Sequence, residues 1–199
     1  MPKAMRFCPD CGAPVEYRIP TGDDRERAVC TATGDIFYEN PRNVVGCIVE
    51  HEGAILMCRR AIEPRLGFWT LPAGFLELGE TTPDGAARET REEACAEVAD
   101  VELFAMLDVT HIGQVHIFYR ARLVGKHFAA GPESAYVTLQ REDEIDWPQL
   151  AFPTIYRTLE RYFADRARGH FGLHVESLGA ADWRAMALDR EPTGHDDGC

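Results

Sequence analysis

Residues 74–96 read GFLELGETTPDGAARETREEACA (Gly74–Ala96). In the middle, Glu89, Glu92 and Glu93 stand at helical steps of three and four, which stacks three carboxylates along one helix face. Like charges so placed repel and weaken an isolated helix. A hard divalent cation with oxygen ligands compensates for that repulsion. Opposite them, Ala87, Thr90, Ala94 and Val98 form a small, mostly apolar stripe suited to packing on a sheet. Pro83 and Asp84 fit the first turn, where a helix N-terminus tolerates proline and acids. Any one glutamate on a helix is ordinarily a solvated face. This set is distinguished by the Gly-rich loop before it and by Arg88 beside it.

Working upstream, Asn40-Pro41 marks a boundary, and Val44 to Val49 reads as an apolar strand. His51-Glu52-Gly53 is a turn, and Ala54 to Cys58 returns as the second arm of a hairpin. Arg59 and Arg60 follow, either as surface cations or as phosphate contacts, since arginine matches phosphate oxygens bidentately. Of the aromatics before the loop, Trp69 reads as core, while Phe68 is open to stack on a base. Downstream, Val101–Val109 and Gln114–Leu123 read as strands. Val115, Ile117 and Tyr119 share one face of the second, with His116, Phe118 and Arg120 on the other. His111 and His116 read as ordinary turn and strand histidines. A short strand, Ala135 to Leu139, precedes a last helix with Thr154 as N-cap and Ile155, Leu159, Tyr162 and Phe163 as its buried stripe. HFGLHVESLG reads as one more short strand, and the end, DREPTGHDDGC, as disordered.

The chain opens with a CxxC knuckle at Cys8 and Cys11, whose thiolates can grip one zinc ion. A full site takes a second knuckle, and the corresponding place, Cys30-Thr31-Ala32-Thr33-Gly34, has one cysteine and then a threonine. This looks like a zinc ribbon with three of its four sulfurs. Three readings stand open: zinc on Cys8, Cys11 and Cys30 with water or a borrowed ligand, weakly held zinc, or no metal.

With 199 residues, the chain buries one sizeable core and a small appendage. The formal net charge of −12 argues against nonspecific nucleic-acid binding, which needs a basic field. It leaves room for a phosphate-bearing substrate, because a bound metal inverts the local sign. No apolar run approaches the length of a membrane span, and MPKAMRFCPD lacks the apolar region of a signal peptide. Seven cysteines, an odd number without a disulfide framework, predict a reducing, cytoplasmic setting.

The central stretch closely resembles the Nudix box: a glycine, five residues, a glutamate, seven residues, then an Arg-Glu-x-x-Glu-Glu core. Gly74, Glu80, Arg88, Glu89, Glu92 and Glu93 all stand where that pattern wants them, while Thr90 and Cys95 replace a usual aliphatic and a usual glycine. The resemblance implies an α/β/α sandwich with a mixed sheet, here preceded by the zinc-ribbon-like β segment. It divides the chain into a ribbon-like segment (1–38), a Nudix domain (39–168) and a C-terminal strand and tail (169–199). It further implies hydrolysis of a nucleoside diphosphate linked to another moiety, with magnesium or manganese on Glu89, Glu92 and Glu93. Arg88 would orient those carboxylates by ion pairing, and Glu80 would hold the loop to the helix. Many members dimerise, so a homodimer is expected.

Many relatives carry a further glutamate on a later strand or loop. The nearest position here is Tyr136, with Glu133 three residues earlier as a substitute. NADH pyrophosphatases share the cysteine-knuckle layout but carry a Pro-Trp-Pro-Phe-Pro-like stretch, and Leu107–Ile112 has nothing comparable. The segments NPRNVVGCIVE, RRAIEPRLGFWTLPAGFLELGET and DWPQLAFPTIYRTLERYF instead look like a zinc-ribbon branch related to ADP-ribose and FAD pyrophosphatases. An NADH pyrophosphatase-like hydrolase and a non-catalytic nucleotide sensor stand as the alternatives.

Overall fold

The computed structural model describes residues 5–181, in two compact units divided after Pro41. The tail expected to be disordered, Asp189 to Cys199, lies outside the described residues. The first unit is a small antiparallel sheet of β1 (Val15–Arg18), β2 (Arg27–Cys30) and β3 (Ile36–Phe37), in that order. Its buried apolar set is slight: Cys8, Ala28, Val29 and Cys30.

The second unit is built on one mixed sheet. Its strands are β4 (Arg42–His51), β5 (Ala54–Arg60), β6 (Trp69–Thr70), β7 (Ala73–Phe75), β8 (Val98–Val109), β9 (Gln114–Leu123), β10 (Ser134–Gln140) and β11 (His174–Ser177). They run in the order β10-β5-β4-β9-β8-β11, with β6 added to β5 and β7 to β4. The β4–β9 and β8–β11 pairs are parallel and the others antiparallel.

Helix α1 (Thr82–Ala94) covers one face and helix α2 (Pro153–Arg168) the other. Ala86 and Ala94 of α1 pack with Val45, Cys47 and Tyr119, while Ile155, Leu159 and Phe163 of α2 pack with Ile48, Phe104 and Phe118. Successive strand residues alternate faces, so Phe118 and Tyr119 enter different cores. This is the expected α/β/α layering, and it explains why the central strands are apolar on both faces.

Strand β4 changes partner along its length, and this positions the site. Glu50 and His51 pair with Ile55 and Ala54 of β5, whereas Val44, Val45 and Gly46 pair with Phe75, Gly74 and Ala73 of β7. The second pairing carries Gly74 to the surface of α1. That helix starts at Thr81, whose hydroxyl caps the Asp84 N–H, and ends at Cys95 in the left-handed conformation (φ 47°). The reversal at Cys95 corrects the expected stripe, because Val98 belongs to β8. The buried face of α1 also differs from the expected one: it includes Ala86, Glu89, Thr90 and Glu93. The start of α2 is likewise corrected. Phe152 is its N-cap without a side-chain bond, Pro153 opens the helix, and Thr154 is buried inside it. Proline at the first position has no N–H to satisfy and a φ already set for a helix.

Candidate active site

A cleft of about 950 Å³ opens in the second unit beside the buried end of this helix face. Glu89, Glu92, Glu93, Arg88, Arg60 and Glu133 bring charge to its lining, and Val44, Phe118, Phe152 and Ile155 give it an apolar wall. Gly74 sits where Glu89 needs room. A Cβ there would lie 2.4 Å from the Glu89 carboxylate, so any side chain at this position would displace that carboxylate.

Arg88 is the hub. Its Nε and Nη2 donate to the two oxygens of Glu80, at 3.0 and 2.9 Å. Its Nη1 donates to Glu89 Oε1 at 2.8 Å and to Glu92 Oε2 at 3.0 Å, and Nη2 reaches the Phe75 carbonyl at 3.1 Å. Every guanidinium nitrogen is therefore used, and the planar fork fixes three carboxylates at once. Glu80 also accepts the Glu77 N–H, and Arg88 with this bond holds its carboxyl down to about 2.

The three glutamates of the box part company in burial. Glu89 and Glu93 are buried, one helical turn apart, while Glu92 stands at the exposed rim. Burial raises the Glu89 carboxyl, against the opposing pull of Arg88. Burial likewise pushes Glu93 up to about 7, opposed by the Ala73 N–H that donates to Oε2 at 3.0 Å; the charges of Glu89 and Glu133 push it further up. Desolvation and like charge both penalise the ionised pair.

A dication on these oxygens would remove that penalty. The donors are carboxylate oxygens, a hard set suited to magnesium or manganese. Arg88 and Ala73 engage one oxygen each of Glu89, Glu92 and Glu93, leaving the other without a hydrogen bond among the described residues. The residues present therefore fit such an ion.

Glu133 reaches the cleft from the loop before β10, where the Gly131 N–H donates to the Glu93 carbonyl at 3.0 Å. Tyr136 is exposed instead and packs edge-on to Trp69, with ring centroids 6.2 Å apart. Arg59 and Arg60 separate because neighbouring strand residues face opposite ways. Arg60 lines the cleft and lies over the Phe152 ring, 5.2 Å from its centroid. Arg59 donates to the Gly67 carbonyl at 2.8 Å, and Phe68 stacks under Arg65, so neither is among the described residues lining the cleft.

His116, read from sequence as an ordinary strand histidine, lines the cleft and bonds Gln114 at 2.9 Å. Burial pushes it down to about 4. The face it shares with Phe118 was visible in the alternation; what covers that face was not.

In the first unit, the sulfurs of Cys8, Cys11 and Cys30 lie within 4.8 Å of one another. Among the described residues, this is the one group of three or more His, Cys, Asp or Glu gathered so closely. Three soft donors at this spacing, with no disulfide between them, fit a zinc ion. The side chain and N–H of Thr33 hold the Cys30 thiol down to about 6.

Comparison with known proteins agrees with this geometry. A family model for the NUDIX domain matches residues 40–155, and one for the Nudix N-terminal zinc ribbon matches residues 6–39. A solved NUDIX hydrolase from Nitrosomonas europaea is 45% identical, with a TM-score of 0.85, covering 88% of this chain and 99% of that one. A MutT-like protein of Streptomyces ambofaciens is 32% identical over 139 residues, 69% of this chain and 88% of that protein. A NAD-capped RNA hydrolase of Haemophilus influenzae is 29% identical over 146 residues, 72% of this chain and 50% of that protein. The chain thus spans half the length of that relative, and 37% of its counterpart from Vibrio atlanticus. With the box, the layered sheet and both family models in agreement, the chain belongs to the Nudix hydrolase family.

Proposed function

We propose that the protein is a divalent-metal-dependent pyrophosphohydrolase that cleaves a nucleoside diphosphate derivative of the ADP-ribose or FAD type into two monophosphates. The observation that carries this reading is the buried Glu89–Glu93 pair, Glu89 braced by Arg88 and Glu93 by the Ala73 N–H, opening on a cleft of about 950 Å³ with an apolar wall. That volume lies at the upper end for small-molecule sites and suits a two-part ligand. Magnesium or manganese on Glu89, Glu92 and Glu93 would neutralise pyrophosphate oxygens and acidify a water molecule. Arg88 keeps the carboxylates in place through the reaction. Glu133, which shares the cleft and is held by no ion pair among the described residues, is the carboxylate assigned to take the proton of the attacking water. Arg60 is assigned to the phosphates, while Arg59, through the Gly67 carbonyl, and Phe68, under Arg65, brace the 61–68 loop.

Residues 39–168 form the catalytic domain in this reading, 1–38 a metal-stabilised appendage, and 169–199 a C-terminal extension. A cytoplasmic homodimer completes the proposal; light scattering on the purified chain reads the second part. A closely allied substrate, NADH, is favoured by the NAD-capped RNA hydrolases among the relatives. The net charge of −12 favours the free dinucleotide over capped RNA. The test is release of AMP from ADP-ribose, FAD and NADH with magnesium or manganese, followed by chromatography. AMP together with the second monophosphate is expected. No monophosphate from any of the three, with either ion, would sink the reading.

A further inference from the structure

The two halves of the cysteine site are built to one plan. In the first, the Cys8 N–H donates to the Ala13 carbonyl at 2.7 Å and the Gly12 N–H to the Cys8 carbonyl at 2.9 Å. In the second, the Cys30 N–H donates to the Asp35 carbonyl at 2.9 Å and the Gly34 N–H to the Cys30 carbonyl at 3.0 Å. Gly12 and Gly34 take the same left-handed turn, with φ 74° and 78°. The knuckles therefore superpose in sequence register: Cys8 on Cys30, Cys11 on Thr33, Gly12 on Gly34 and Ala13 on Asp35. Cys11 belongs to the cluster of sulfurs, its Sγ 3.5 Å from that of Cys30. The equivalent position in the second knuckle is the Thr33 side chain.

Thr33 is not a bare hydroxyl. Its Oγ1 donates to Asp35 Oδ2 at 2.5 Å, and its N–H donates to the Cys30 sulfur at 3.5 Å. A hydroxyl whose proton is drawn toward a carboxylate becomes a stronger oxygen donor, as outer partners do for metal ligands generally. The Asp35 carboxylate does not itself join the close cluster of sulfurs. Its route to the site is through Thr33.

We propose that this chain holds zinc through three thiolates and one oxygen, with Thr33 Oγ1, backed by the Asp35 carboxylate, as the fourth donor. The first knuckle supplies two sulfurs and the second supplies one sulfur and one oxygen. Cys11, Thr33 and Asp35 are all exposed, so the oxygen corner faces solvent and the ion exchanges there. Three thiolates leave the zinc site one negative charge lighter than a four-thiolate ribbon.

The test uses the full chain with cobalt in place of zinc. Sulfur-to-cobalt charge transfer reports only the thiolate site, since the oxygen donors of the second unit give none. Wild type should show the intensity of three thiolates, and Thr33→Cys should add a fourth thiolate's share and tighten binding. Thr33→Val and Asp35→Asn should each weaken zinc about 10- to 100-fold in a chelator competition, with Thr33→Ser restoring it. Two results would overturn the proposal: a four-thiolate spectrum in wild type, or unchanged spectrum and affinity in Thr33→Val. If Thr33→Val does not fold, Asp35→Asn decides, and unchanged zinc affinity in that variant would overturn the proposal.

Discussion

One constraint in the catalytic unit is a missing methyl group beside a carboxylate. Gly74 leaves room for the Glu89 carboxylate, and a Cβ would intrude to 2.4 Å. Gly74→Ala should move Glu89 by about an ångström and lower turnover about 100-fold while the far-ultraviolet circular dichroism stays unchanged. A second residue-scale consequence concerns pH. Glu93 titrates at about 7 in the folded chain, above the ordinary carboxylate value. In metal-free protein its contribution to stability is therefore complete below about pH 4.5 and is lost as pH rises through about 7. Denaturant midpoints of chelated protein should carry that loss, Glu93→Gln should lack it, and saturating magnesium should reverse it, because the ion takes the place of the proton.

At the scale of elements, the box was legible because charge spacing, loop glycines and an arginine all spoke to one helix. Which glutamates were buried was not legible, since that depends on how β7 and β10 close over α1. The spacing placed all three on one face; packing buried Glu89 and Glu93 and left Glu92 at the rim. The helix end escapes the sequence pattern for a related reason. The left-handed turn falls on Cys95, a residue that by itself gives no stop signal, and Val98 continues the apolar spacing of the helix although it opens β8. A side chain in that conformation costs about 1–2 kcal/mol, part of which glycine returns through its unfolded-state entropy. Cys95→Gly should accordingly raise stability by about 0.5–1 kcal/mol in urea denaturation, with activity unchanged.

For the whole molecule, the longer strands and α2 followed from apolar periodicity, whereas β1, β2, β3, β6 and β7, only two to four residues each, did not; the two-sided burial of the sheet follows from covering it with α1 and α2. The cleft did not follow, because it is assembled from β4, the end of β5 and the loop after it, β7, α1, β9, the loop before β10 and the start of α2, far apart in sequence. That is why Arg60 and His116 acquire their places only in three dimensions. The proposed role of the α1 carboxylates is hydrolysis of a pyrophosphate bond. It is tested most directly by monophosphate release from ADP-ribose and FAD, with magnesium, in wild type and in the Glu92→Gln, Glu93→Gln double variant. Turnover is expected in wild type and a loss of about 10³-fold or more in the double variant, with the fold intact by circular dichroism. Equal turnover in the two proteins would contradict it.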